Sequence, residues 1–223
     1  MKKEFIFIGP PGSGKGTQTI MLAKDMNLPH IDTGSLLREE IARDTQEGRL
    51  ADSYMSKGQL VPIKVVSTII KNRLSKDDCK QGFILDGYPR SMEQAYALDD
   101  ILAEIDANTD IVPTVFYFAV DQEQLIERLV NRRSCPACGE IYNIKTMKLS
   151  DVEKCEKCGE KLVRRDDDTE EVARKRFDTY FAQTAPLIDL YAKRNWLVEI
   201  DASKDIDTIY KSLTGAIKEH VNL

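Results

Sequence analysis

The chain has 223 residues, of which 42% are hydrophobic and 31% charged, with a formal net charge of −5; this supports one substantial core with small inserted lobes in an ordinary soluble protein. The acidic balance argues against a general nucleic-acid partner, so any anion site has to be a focused one. No apolar segment approaches the roughly 18 residues of a membrane span, and the run after Lys2-Lys3 is too short for a secretory signal, so no membrane partner and a cytoplasmic address are expected.

In chain order, the apolar run Phe5 to Ile8 predicts a buried strand. It leads into Gly9-Pro-Pro-Gly-Ser-Gly-Lys-Gly-Thr17 and then a helix-like stretch from Gln18 to Met26. A strand that ends in a glycine-rich turn and opens a helix aims several backbone N–H groups, and the positive end of the helix dipole, at one spot. Polyphosphate fits there. Gly12 and Gly14 allow conformations that a Cβ would block, and Lys15 can reach the outer phosphates. Gly16 stands where many such loops carry a hydroxyl that ligates magnesium, so here phosphates and water are expected to hold the metal.

A short strand is expected at Pro29 to Ile31, then a helix at Thr33 to Arg43 within a polar, mostly helical stretch over residues 33–63, and a helix at Pro62 to Leu74. Strands follow at Phe83 to Leu85, Thr114 to Val120 and Leu197 to Ile200, with helices at Ser91 to Ala103, Gln122 to Arg133, Thr169 to Tyr191 and Ile206 to Val221. Strands that are apolar almost throughout indicate a sheet covered on both faces, with the helices as crossovers. The expected fold is therefore α/β, a doubly wound parallel five-stranded sheet flanked by helices, interrupted by insertions at 33–63 and 134–164.

The second insertion holds four of the five cysteines as two pairs, Cys135/Cys138 and Cys155/Cys158, each followed by a glycine (Gly139, Gly159). That spacing suits two knuckles gripping one tetrahedral zinc; two disulfides, or iron in place of zinc, are the alternatives. Four thiolates would fill the coordination sphere, so the ion is read as a structural staple for about thirty residues that cannot bury enough surface alone. Cys79 stands alone, and neither His30 nor His220 has ligand or base spacing.

Arginines recur at Arg38, Arg90, Arg128, Arg132, Arg133, Arg165 and Arg176, many of them flanking the insertions. Bringing two polyanions together requires groups that stay ionised and bind phosphate oxygens bidentately, which suits arginine. Taken singly, each could equally decorate an exposed helix face.

With the segments Gly9 to Gln18, Asp32-Thr33-Gly34 with Leu36-Leu37-Arg38, Gly58-Gln59-Leu60-Val61-Pro62, Gly82 to Arg90 followed by Gln94, Arg128 with Arg132-Arg133, and Arg165-Asp-Asp-Asp168, the chain resembles adenylate kinases of the long form with a zinc-bearing lid. The likeness spans nearly the whole length, and that family also carries glycine after the loop lysine. It implies a core of 1–32, 64–131 and 169–223, a helical lobe for the nucleoside monophosphate at 33–63, and a lid at 132–168. It further implies ATP phosphates held by Gly12, Ser13, Gly14, Lys15, Gly16 and Thr17, with Arg128 against the ATP adenine. AMP would be held by Thr33, Gly34, Arg38, Val61, Gly87, Arg90, Gln94, Arg165 and Arg176, with Gln94 on the base edge and Arg38 and Arg90 on the phosphate. Lys15, Arg90, Arg132, Arg165 and Arg176 would act on the transferring group, and Asp86 would orient the water shell of Mg2+, unless it only forms an Asp-Gly turn. Cys135, Cys138, Cys155 and Cys158 would carry structural Zn2+. Asp167 and Asp168 either seat the lid or cap the helix near Thr169. The resemblance implies a monomer that interconverts ATP, AMP and ADP. A kinase for UMP, CMP or GMP, and a zinc ribbon that binds nucleic acid, are the rival readings.

Overall fold

The structure is a computed structural model, and it describes residues 2–105, 112–145, 147 and 150–221. Five parallel strands form one sheet: β1 (Lys3–Ile8), β2 (His30–Asp32), β3 (Gly82–Asp86), β4 (Thr114–Ala119) and, as the last strand of the chain, β7 (Leu197–Asp201), in the order β2-β3-β1-β4-β7. The pleat sends alternate side chains to opposite faces. Ile6, Ile8, Phe83, Leu85 and Val115 face one way, against α4 (Ile63–Leu74), α5 (Met92–Ile105) and α8 (Pro186–Lys193). Phe5, Phe7, Ile84, Phe116, Phe118 and Ile200 face the other, against α1 (Lys15–Met26) and α9 (Ile206–Val221). Because both faces are covered, the stretches Phe5–Ile8, Phe83–Leu85 and Val115–Ala119 are apolar throughout; burying one such side chain is worth about 1.5–3 kcal/mol.

All five expected strands are present, each within two residues of its expected ends. The helices differ in three places, each for a physical reason. Helix α1 begins at Lys15 rather than Gln18, because Gly14 at φ 90° ends the loop in a left-handed conformation that glycine tolerates. The helix expected over 122–133 stops at Val130 (α6, Gln122–Val130), and Arg132–Ser134 becomes strand β5, paired antiparallel with β6 (Ile141–Asn143). Arginine is a good helix former, but cross-strand pairing outweighs the few tenths of a kcal/mol of propensity. The long helix expected over 169–191 is split into α7 (Glu170–Thr179), a wide turn at Tyr180–Thr184, and α8, whose Pro186 has no N–H to continue the preceding turn.

Within the first insertion, α2 (Thr33–Ala42) and α3 (Gln46–Met55) form an antiparallel pair around Leu37, Ala51 and Val61. Thr45 caps α3 by accepting from Gly48 N, and a Cβ on Gly48 would lie 2.1 Å from the Glu40 carbonyl oxygen, so only glycine permits the crossing. The second insertion has its own small core of Cys135, Tyr142, Cys155 and Leu162 around the β5-β6 ribbon.

Candidate active site

A cavity of about 1130 Å³ opens above the carboxyl ends of β1, β2 and β3, between the two insertions. Its position follows from the topology. The chain leaves β1 toward β2 and β3 on one side and β4 on the other, and such switch points are where open parallel sheets bind ligands.

The loop after β1 forms its floor. Gly9 and Gly12 have φ of 149° and 80°, and added Cβ atoms would sit 2.9 Å from the carbonyl oxygens of Phe118 and Leu125, so the loop is pressed against β4 and α6. Lys15 Nζ donates to Gly9 O at 2.7 Å, Pro10 O at 3.1 Å and Ser13 Oγ at 3.2 Å. Desolvation pushes its ammonium down to about 8, against the opposing pull of Asp86. Asp86, buried at the end of β3, accepts from Thr19 Oγ1 at 3.2 Å. A Cβ on Gly16 would lie 3.7 Å from Asp86 Oδ2, so this carboxylate adjoins the loop. His30 completes the group: its Nε2 is 3.0 Å from Thr19 Oγ1 and 3.7 Å from Asp86 Oδ2. The sequence reading missed His30 because Asp86 lies 56 positions away and only the β2-β3 pairing joins them.

On the side of the first insertion, Asp32 caps α2 by accepting from Gly34 N and Ser35 N, and Arg38 Nη2 donates to its Oδ2 at 3.3 Å. Thr33 Oγ1 donates to the Asp86 carbonyl at 3.2 Å. Gln94 Oε1 accepts from Arg90 N at 2.8 Å and Arg90 Nε donates to Gly87 O at 2.6 Å, which fixes both side chains beside the turn after β3. Val61 also lines this end of the cavity.

Over the top come Arg128, Arg132, Arg165 and Arg176. Asp168, with no exposed surface, accepts from Arg132 and from Arg176 Nη1, while Asp167 accepts from Arg176 Nη1 at 3.0 Å. Thr169 is the residue that caps α7, accepting from Val172 N, so the two aspartates serve to join the insertion to the core. Arg165 Nε donates to Ser134 Oγ at 2.9 Å. Among the described residues neither Arg90 nor Arg165 has a carboxylate within ion-pair distance. Desolvation and the neighbouring Arg132 and Arg38 push Arg165 down to about 10, the mark of a strongly positive enclosure that an anion would relieve. Arg128 Nη1 donates to Ala202 O at 3.3 Å. Arg133 is outside the cavity wall and bonds the carbonyls of Val130 and Arg132.

A glycine cradle with a buried lysine, a second cation cluster opposite it and arginines above make one enclosed space suited to more than one phosphate group. A model of the adenylate kinase family matches residues 7–196. The chain belongs to the adenylate kinase family. The adenylate kinase of Thermoanaerobacter sp. (strain X514) is 45% identical over 212 residues, which cover 95% of this chain and 96% of that one. Those of Thermosipho africanus and Archaeoglobus fulgidus are each 43% identical, covering 96% of this chain and 98% and 97% of theirs. Membership makes the protein a phosphotransferase of nucleoside monophosphates.

The long-form resemblance is borne out by the cysteines. The four Sγ atoms lie within 4.8 Å of one another, with Cys135–Cys158 at 3.4 Å and Cys138–Cys155 and Cys138–Cys158 at 3.6 Å. Zn–S bonds of about 2.3 Å in a tetrahedron put sulfurs about 3.8 Å apart, whereas a disulfide brings them to about 2.05 Å. The set therefore fits a metal. Gly139 and Gly159, at φ 74° and 76°, turn both knuckles alike, their N–H groups donating to Cys135 O and Cys155 O. Tyr142 Oη is 3.3 Å from Cys155 Sγ, an outer contact that orients a ligand. Cys79 is buried beside Arg73, and desolvation pushes its thiol up to about 11, in keeping with an inert residue.

Proposed function

We propose that this adenylate kinase family member transfers the terminal phosphoryl group of magnesium-bound ATP to AMP, yielding two ADP. The observation that carries this reading is the opposition, across one cavity, of the Lys15 cradle and the Arg38–Arg90–Gln94 cluster.

Gly12 to Thr17 and Lys15 hold the donor polyphosphate through backbone N–H groups and the ammonium, with Arg128 against the donor base. Thr33, Gly34, Arg38, Val61, Gly87, Arg90 and Gln94 hold the acceptor. The Gln94 carboxamide oxygen is occupied by Arg90 N, which leaves its NH₂ for the base edge. Arg132, Arg165 and Arg176 gather the phosphates. An acceptor phosphate oxygen attacks the terminal phosphorus as the bridging P–O bond breaks, and charge shifts to the leaving ADP. The acceptor is already ionised, so no general base is needed. Arginine stabilisation of such a transfer is worth about 10³–10⁵ in rate, or about 4–7 kcal/mol. Magnesium, when bound, neutralises charge on the donor phosphates. Asp86 fits as the carboxylate that orients its water shell, since it is buried beside the cradle and, among the described residues, Thr19 and His30 both meet it at Oδ2.

Water would compete as acceptor, and covering the site prevents this. Segments 33–63 and 132–168 are proposed as acceptor lobe and lid around a core of 1–32, 64–131 and 169–223. Residues Gly139, Ile141 and Asn143 of the second segment already line the cavity, which supports this division. Zn2+ is proposed to keep the lid rigid, and the enzyme is proposed to act as a cytoplasmic monomer without nucleic-acid or membrane partners. ADP formation from Mg-ATP and each of AMP, UMP, CMP and GMP tests the reading. AMP should be preferred by orders of magnitude, and no turnover with AMP would refute it.

A further inference from the structure

Arg38 shares the acceptor side of the cavity with a carboxylate. Asp32 Oδ1 accepts from Gly34 N at 3.1 Å, and Oδ2 accepts from Ser35 N at 3.0 Å, from Ser35 Oγ and from Arg38 Nη2 at 3.3 Å. The Arg38 contact is single and at the long end of the hydrogen-bond range, and Ser35 Oγ holds the same Nη2 at 3.2 Å. Most of the five guanidinium donors therefore remain available to a phosphate. Orienting Arg38 accordingly owes little to Asp32. The electrostatic consequence is larger, because a full negative charge sits one guanidinium away from the place an acceptor dianion would occupy, in a half-buried site where charges are weakly screened.

We propose that Asp32 is a positioning residue that sets acceptor affinity: its charge offsets part of the positive potential at Arg38 and keeps acceptor binding weak enough for rapid exchange. This rests on the reading of Arg38 as an acceptor-phosphate ligand. Arg90, which has no carboxylate within ion-pair distance among the described residues, then supplies the uncompensated half of the phosphate grip.

The charge can be removed without the cap, since Ser and Asn both accept from the N–H groups of a helix N-terminus as Asp does. Steady-state kinetics with AMP and Mg-ATP on Asp32→Ser and Asp32→Asn should give a KM for AMP lowered about tenfold in both, with the KM for ATP within about twofold of the parent. Calorimetric titration with AMP alone should show the same tightening. A residue that merely supported α2 would instead shift Tm and raise both KM values. An unchanged or raised KM for AMP in both variants would overturn the proposal. Arg38→Ala separates it from the reading beneath it. That variant should raise the KM for AMP at least tenfold, and a parental value would remove Arg38 from the acceptor site, whatever Asp32 does.

Discussion

The carboxylate of Asp168, wholly buried, takes a forked pair of hydrogen bonds from the guanidinium of Arg132, with Nε donating to Oδ2 at 2.7 Å and Nη2 to Oδ1. The partners lie 36 positions apart, at opposite ends of the cysteine-bearing insertion, so this pair closes the insertion at its base. Arg176 of α7 adds a third charge through Nη1 at 3.1 Å and ties the closure to the core.

Asp168→Ala should therefore behave as a broken buried ion pair. It leaves two guanidinium groups without their shared partner, and such losses are worth about 3–5 kcal/mol. With about 2–4 °C per kcal/mol for a chain of this size, Tm should drop by about 10 °C in a thermal melt. A drop of under about 2 °C would show that Asp167 alone suffices for Arg176 and that the fork contributes little.

The arginines divide by this pairing. From sequence alone, alanine at Arg132 or Arg165 is expected to cripple turnover and leave the fold intact; the Arg132–Asp168 ion pair leads to a different expectation for Arg132. Arg165→Ala should cut kcat by about 10³-fold or more at nearly unchanged Tm, because among the described residues its guanidinium has a hydrogen bond to Ser134 Oγ and no ion pair to lose. Arg132→Ala should lose activity and several degrees of Tm together, because Asp168 is left half-paired. Paired measurements of kcat and Tm that showed the same pattern for both variants would contradict this division.

Removing the metal should act on the insertion before the chemistry. Cys155→Ser, whose sulfur is buried in the insertion's own small core and outside the cavity wall, or treatment with a strong chelator, should lower Tm and zinc content, while activity at moderate temperature falls less. Loss of activity in proportion to stability would argue for more than a structural role.

His30 should make stability depend on pH. Desolvation disfavours its charged form, but the hydrogen bond and charge of Asp86, with Asp32 adding to them, outweigh that and hold the folded pKa above the usual value. The folded protein thus binds the proton more tightly than the unfolded chain. The stabilisation is complete below about pH 6.5, the unfolded value, and is lost as pH rises through the raised folded value. His30→Gln should lower Tm most near pH 5.5 and least near pH 8.5. A difference that is flat across that range would mean that the ring contributes only packing.

The parts of this protein that read directly from the chain are those whose physics is local. The glycines and lysine of residues 9–17 follow one strand and open one helix, so their spacing is their geometry. The same holds for the two cysteine pairs with their following glycines, whose left-handed turns shape each knuckle within five residues, and for the apolar strand segments, since two covered faces leave few polar positions. The aspartates are another matter. Asp168 with Arg132, and Asp86 with His30, are ordinary charged residues in sequence, and partner choice depends on strand order and chain crossings rather than on spacing. Likewise Arg132 and Arg133 carry a helical preference of a few tenths of a kcal/mol, and pairing with β6 overrode it. The sequence by itself determined the cradle, the metal set and the sheet. Only the tertiary structure decided which arginines are neutralised and which are left charged toward the cavity, because an ion pair forms where folding leaves two groups within a few ångströms, and local periodicity carries no record of that distance.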